Sequence, residues 1–133
     1  MALVWNEAQF GTGIDEIDAQ HRELFEIVNR LVDAARQGGS REAVAGILDA
    51  LSEHALSHFC CEEDVMERRN CSACVANKLA HRWFLRDFEE LRRRFDREGV
   101  TPAFIEEVED KVCDWLTSHL LAIDTAMRST REH

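Results

Sequence analysis

A chain of 133 residues with 45% hydrophobic side chains suffices for one domain around a single moderate core. Six glycines, one proline and no tyrosine, beside 32% charged residues, favour helices over a turn-rich β fold. A formal net charge of −10 excludes nucleic acid as an expected partner, because nothing offsets repulsion by phosphate, and no apolar run reaches the roughly 20 residues that span a bilayer.

The opening MALVWNEAQF carries an acid where a secretory signal would carry basic residues. Five cysteines are an odd number and do not suit a fully paired disulfide framework, so thiols in a reducing cytoplasm are expected. Residues 1–13 read as an arm whose Trp5 and Phe10 pack on the body that follows. A first helix, roughly 16–37, carries the stripe Ile17, His21, Leu24, Val28, Leu31 and Ala35, with Asp15 or Asp18 as its cap and Gly38-Gly39 as its stop. Ser40 caps a second helix, roughly 41–68, with the stripe Val44, Ile47, Leu51, His54, His58, Cys61 and Val65. Asn70-Cys71-Ser72 breaks the pattern. The third helix, roughly 74–97, presents Cys74, Asn77, His81, Phe84, Phe88, Leu91 and Phe95. Thr101-Pro102 opens a fourth, roughly 102–128, with Phe104, Val108, Val112, Trp115, His119 and Ile123. Four long amphipathic helices joined by short loops imply an all-α, antiparallel up-down four-helix bundle, a single domain over 1–133 with an N-terminal arm. The basic runs Arg68-Arg69 and Arg92-Arg93-Arg94 sit among carboxylates and read as solvated faces.

Every helix carries at least one potential metal ligand: His21, then His58 with Glu62, then His81, then His119 with Asp124. One buried histidine is ordinarily a hydrogen-bonded structural residue. Ligand types on all four helices are different, since bundle interiors build metal sites from facing helices and unpartnered burial would cost about 1–3 kcal/mol per group. His58 and Glu62 stand one turn apart on one face. Mixed imidazole and carboxylate ligation suits iron, manganese or zinc, and this many donors suits two ions. His119 and Asp124 fit less easily, because five residues place them about 140° apart on an ideal helix. Either the carboxylate approaches from the side or a π-bulge between the two closes the angle.

The runs Trp5 … Gly13-Ile14-x-x-Ile17-Asp18-x-Gln20-His21-x-x-Leu24-Phe25, His58-Phe59-x-x-Glu62-Glu63-x-x-Met66 and Trp115-Leu116-x-x-His119-x-x-x-x-Asp124 resemble the signatures of bacteriohemerythrins, in order, over residues 5 to about 127. That resemblance implies a non-haem diiron centre that binds O2 reversibly, with His21 and His58 on the iron that has an open site, and His81 and His119 on the other. Glu62 and Asp124 would bridge the pair together with an oxo or hydroxo group. The family carries His-x-x-x-His on the third helix, whereas this chain has Asn77-x-x-x-His81. Asn77 could ligate weakly, could hold water or an anion on the metal, or could mark a degenerate site. The second is the favoured reading, and it points to a sensor or redox-active centre more than an O2 store.

His54, a full turn from His58, reads as a core or supporting histidine. Cys71-x-x-Cys74 resembles half a zinc site, but adjacent Cys60 and Cys61 point about 100° apart and do not converge on it. Ordinary thiols are the default reading, with a thiol-redox role or Cys74 ligation of the iron as weaker variants. Met66, Phe84, Phe88 and Trp115 read as core and as dry walls for a metal site. The expected function is O2 binding for sensing, delivery or detoxification, with O2 or small anions as ligands and an unidentified redox or signalling protein as partner. The alternatives are a diiron oxidase, peroxidase or nitric oxide-reactive enzyme, and a partner-binding redox module.

Overall fold

The computed structural model describes residues 3–6, 10–72 and 74–131, and the side chains from 123 onward lie outside the described residues. Helix α1 runs Asp15–Arg36, α2 Arg41–Arg68 and α3 Cys74–Glu98. The fourth rod is built in three pieces: α4, Pro102–Glu107; a π-helical turn, Val108–Val112; and α5, Cys113–Arg131. The chain is an all-α antiparallel four-helix bundle, with no strand among the described residues.

The helix ends follow from local chemistry. At the end of α1, Gly38 takes φ +71° and Gly39 N–H closes on Ala34 O at 2.8 Å. A Cβ on Gly39 would stand 2.8 Å from that same oxygen. The end of α2 repeats the motif with Asn70 at φ +53°, Asn70 N–H bonding Glu67 O at 3.1 Å and Cys71 N–H bonding Met66 O at 3.0 Å. Ser40 Oγ accepts from Ala43 N–H at 3.1 Å, and Thr101 Oγ1 from Phe104 N–H at 3.0 Å with Pro102 in the first turn. The start of α1 differs from expectation, because Ile14 occupies the cap position and gives no side-chain bond. Asp18 is buried and accepts from Thr12 N–H, Thr12 Oγ1 and Gly13 N–H at 2.8, 2.8 and 3.3 Å. It ties the arm down instead of capping its own helix.

The inward face of α2 also differs. Val44, Leu48, Leu51, Ala55, His58, Phe59, Glu62, Val65 and Met66 are buried, while Ile47, His54 and Cys61 are half-buried on the flank. In the fourth rod, buried Phe104, Val108, Val112, Leu116 and Leu120 recur in steps of four. Steps of four drift about 40° each on a 3.6-residue helix, about 160° over the series. The π-turn, sealed by Cys113 N–H to Val108 O, takes up an extra residue and brings Leu116 and His119 back to the core.

Two apolar clusters result. The large one runs from Phe10 and Leu24 through Leu48, Phe59 and Phe95 to Leu120, and Trp5 packs at its edge. A small one, at the end where α2 turns into α3, holds Ile17, Val65, Met66 and Cys71. Outside, Arg68 pairs with Asp64 and Arg92 with Asp96, both at 3.1 Å, as solvated faces should. No helix among the described residues is long and apolar enough to cross a membrane. Leu48 is fully buried in the large cluster, so Leu48→Ala should lower the unfolding free energy by about 2–5 kcal/mol, read from urea denaturation curves.

Candidate metal centre

Between the two clusters lies a polar layer to which all four rods contribute. His21 comes from α1, His58 and Glu62 from α2, His81 from α3 and His119 from α5, and all five are buried. Glu62 is 0% exposed, and its two oxygens face different histidine pairs. Oε2 lies 2.9 Å from His21 Nε2 and 3.0 Å from His58 Nε2. Oε1 lies 2.8 Å from His81 Nε2 and 3.2 Å from His119 Nε2. Donor atoms of His21, His58 and Glu62 lie within 4.8 Å of one another, as do those of Glu62, His81 and His119.

Proton counting shows what this layer is built to hold. His58 Nδ1 is 2.6 Å from Gln20 Oε1, an acceptor, so Nδ1 carries the proton and donates it. Its Nε2 then presents a lone pair to a carboxylate oxygen and has no hydrogen bond there. His81 is caught between two carboxylates, with Nδ1 2.8 Å from Glu63 Oε2 and Nε2 2.8 Å from Glu62 Oε1. A neutral ring satisfies one of them. His81 Nε2 also faces His119 Nε2 at 3.1 Å. Lone pairs converging on one carboxylate repel unless a positive charge stands between them. Protons on several rings would supply it at low pH, whereas cations supply it at neutral pH. Glu62 with His21 and His58, and Glu62 with His81 and His119, form two groups of donors that could each hold a cation.

Burial alone would raise the Glu62 carboxyl, but the imidazoles of His119, His21, His58 and His81 around it outweigh burial and hold the group well below the usual carboxylate range. Burial depresses His21 and His119 below the ordinary 6.5, more than Glu62 restores.

Aromatic planes fix the rings. Phe59 stacks on His81 at 3.9 Å between centroids, and Trp115 on His119 at 4.5 Å. Phe84 lies against both Phe59 and Trp115, so two of the expected wall residues do line the layer. Gln20 and Glu63, the groups that orient His58 and His81, were not assigned roles from the sequence. Each directly adjoins a stripe ligand, in Gln20-His21 and Glu62-Glu63, and that adjacency was the available signal. His54 supports the layer from outside, its Nε2 lying 3.2 Å from Gln20 O.

Asn77 is buried one turn before His81, where Nδ2–H donates to Met66 Sδ at 3.0 Å and Oδ1 finds no partner within the protein. Cys74 belongs to neither of the two ligand groups found among the described residues. The Asp124 side chain lies outside the described residues. The π-bulge offered to bring it round does not fall between His119 and Asp124; α5 is α-helical there and the π-turn lies upstream. The spacing of the core residues, not the needs of the carboxylate, sets its place.

Acid should undo the layer. The unfolded histidines take protons near 6.5 while folded His21 and His119 resist until lower pH, so protonation favours the unfolded state. Glu62 acts in the same direction, contributing stability above its ordinary 4.5 that is lost as pH falls through its depressed value. Metal-stripped protein should therefore lose stability steadily as pH falls below 6.5, with no matching loss between pH 7 and 8, measured by urea denaturation across that range.

Comparison with known proteins agrees with this architecture. The hemerythrin HHE cation-binding domain matches residues 12–128. The chain is 34% identical over 125 residues to a bacteriohemerythrin of Stenotrophomonas maltophilia, covering 93% of this chain and 78% of that one. It is 36% identical over 119 residues to a bacteriohemerythrin of Pseudomonas aeruginosa, covering 89% and 74%. A crystal structure of wild-type hemerythrin superimposes with a TM-score of 0.81 at 28% identity, covering 96% of this chain and 99% of that one. With a polar layer of four histidines and one bridging-capable glutamate at its heart, the chain belongs to the hemerythrin HHE cation-binding family.

Proposed function

We propose that the chain is a non-haem diiron protein that binds O2 reversibly and serves oxygen sensing, delivery or detoxification. The observation that supports it is the division of Glu62: Oε2 toward His21 and His58, Oε1 toward His81 and His119. One carboxylate offered to two histidine pairs is what two neighbouring ions require. His21, His58, His81, His119, Glu62 and Asp124 are the proposed ligands. An oxo or hydroxo group, with water or a small anion, would complete the coordination of ions held there.

Ferrous ions held there would supply the electrons that O2 takes up on binding and returns on release. The protein's own work lies around them. Gln20 and Glu63 keep the Nδ1 protons of His58 and His81 and so aim each Nε2 inward. Phe59, Phe84 and Trp115 exclude water, which limits proton leakage. We further propose a cytoplasmic location, in keeping with five cysteine thiols, and an unidentified redox or signalling partner.

Asn77 supports the sensing role and a second reading, a diiron redox enzyme. An imidazole at that position would fill a coordination site, whereas the amide holds Nδ2 on Met66 and keeps Oδ1 available to a coordinated water. An exchangeable position beside His81 and His119 would make ions held there easier to oxidise.

Metal analysis of purified protein should give two irons per chain. Anaerobically reduced protein should be nearly colourless, gain a charge-transfer band in air and lose it again on deoxygenation. Zinc alone, or colour that never reverses, would sink the proposal. Asn77→His should slow autoxidation of the reduced protein severalfold, followed by the decay of the same band. An unchanged rate would remove Asn77 from the explanation.

A further inference from the structure

Cys71 and Cys74 lie outside both ligand groups, so the metal centre gives no account of them. Two backbone hydrogen bonds place them. Cys71 is held to the end of α2 by its N–H to Met66 O at 3.0 Å. Three residues on, Cys74 begins α3 and donates its N–H to Cys71 O at 3.2 Å. A turn closed by that bond holds its end Cα atoms within about 7 Å. A disulfide needs about 4.4–6.8 Å. Both side chains contact the small apolar cluster of Ile17, Val65 and Met66: Cys71 belongs to it, and Cys74 packs against it, as Cys61 does from α2. Their exposure differs: Cys71 is buried at 7% and Cys74 is partly open.

The other cysteines are less suited to the same chemistry. Cys113 is buried in the large cluster, and burial raises its thiol above the ordinary 9.0. Cys61 donates its thiol to Glu16 Oε1 at 3.5 Å and is likewise raised by burial, which keeps it protonated and a poor nucleophile. Cys60 is exposed but adjoins Cys61 on a helix, where neighbouring side chains diverge by about 100°.

We propose that Cys71 and Cys74 are a reversible dithiol–disulfide pair, oxidised by peroxides and reset by a cellular dithiol reductant. The accessible Cys74 sulfur attacks a peroxide oxygen, forming an S–O bond and breaking the O–O bond, and the departing oxygen leaves as water. Cys71 then attacks the Cys74 sulfenic acid, forming S–S and breaking S–O, and a second water leaves. The two sulfurs lose two electrons and the peroxide gains them. The external dithiol reverses the change by thiol–disulfide exchange. This assignment does not depend on which metal the bundle holds.

Trypsin offers a direct test, because cleavage after Arg69 and Lys78 isolates both residues in the peptide 70–78, while Cys60 and Cys61 fall in 42–68. Full-length, metal-loaded protein is treated with one equivalent of hydrogen peroxide, alkylated, digested and weighed by mass spectrometry. The 70–78 peptide should lose two hydrogens and resist alkylation, then recover both thiols after dithiothreitol. In Cys71→Ser, a sulfenic acid should persist on Cys74 and be trapped by dimedone, while Cys74→Ser should leave Cys71 unlabelled. The pair is overturned if wild-type 70–78 keeps both thiols while 42–68 oxidises, or if 70–78 becomes linked to another peptide. Label on Cys71 in Cys74→Ser overturns the order of attack.

Discussion

A carboxylate with no exposed surface, ringed by four imidazoles, sets the terms on which the rest of this molecule is built. An isolated buried charge of this kind costs several kcal/mol, and its hydrogen-bonding neighbours are themselves polar groups taken out of water. The bundle meets that cost by position. Its large apolar cluster carries most of the buried side chains on one side of the layer, and the small cluster closes the other. Helices α1 and α2 reflect the same order in sequence: Ile17, His21, Leu24 along α1, and in reverse Phe59, Glu62, Val65 along α2. The polar layer is therefore a cross-section of the whole fold, and no single helix contains it.

The two histidine pairs are not held alike. His58 rests on a neutral amide, Gln20, while His81 donates to a carboxylate, Glu63, in a charge-assisted bond. A carboxylate behind an imidazole raises its basicity as a ligand. The stronger support thus falls on the pair that lacks a third histidine, because Asn77 stands where one would be expected. Stacking follows the same division. Phe59 and Trp115 lie flat on His81 and His119, whereas His21 and His58 meet each other edge to face at 4.5 Å.

Periodicity made the helices, their caps at Ser40 and Thr101, and the histidine on each rod legible in the sequence. It set the face of α2 wrongly because two stripes one residue apart compete there: Ile47, His54 and Cys61 against Leu48, Ala55 and Glu62. Adjacent residues differ by about 100°, and both stripes contain polar members, so hydrophobicity alone does not choose between them. Packing chooses, since Leu48 and Phe59 fill the large cluster. The four-residue spacing from Phe104 to Leu120 encodes the π-turn at Val108–Val112, whereas the spacing of His119 and Asp124 points to a bulge further along the helix. Gln20 and Glu63 escaped because they lie off the stripes. The way Glu62 divides its oxygens depends on where four helices cross, which no local pattern records.

The thin end of the core shows how the departure at Asn77 is accommodated. An amide is shorter than an imidazole and brings a donor as well as an acceptor. Met66, one turn beyond Glu62, turns its sulfur to that donor at 3.0 Å, while its backbone oxygen takes the N–H of Cys71. One residue thereby joins the polar layer, the small cluster and the turn between α2 and α3. A histidine at 77 would place a ring where the amide now reaches Met66. Replacing it with asparagine moves one contact from the metal side of the layer to the sulfur side. The contact suits Met66, because an unbranched, polarizable methionine is the most adaptable member of the small cluster.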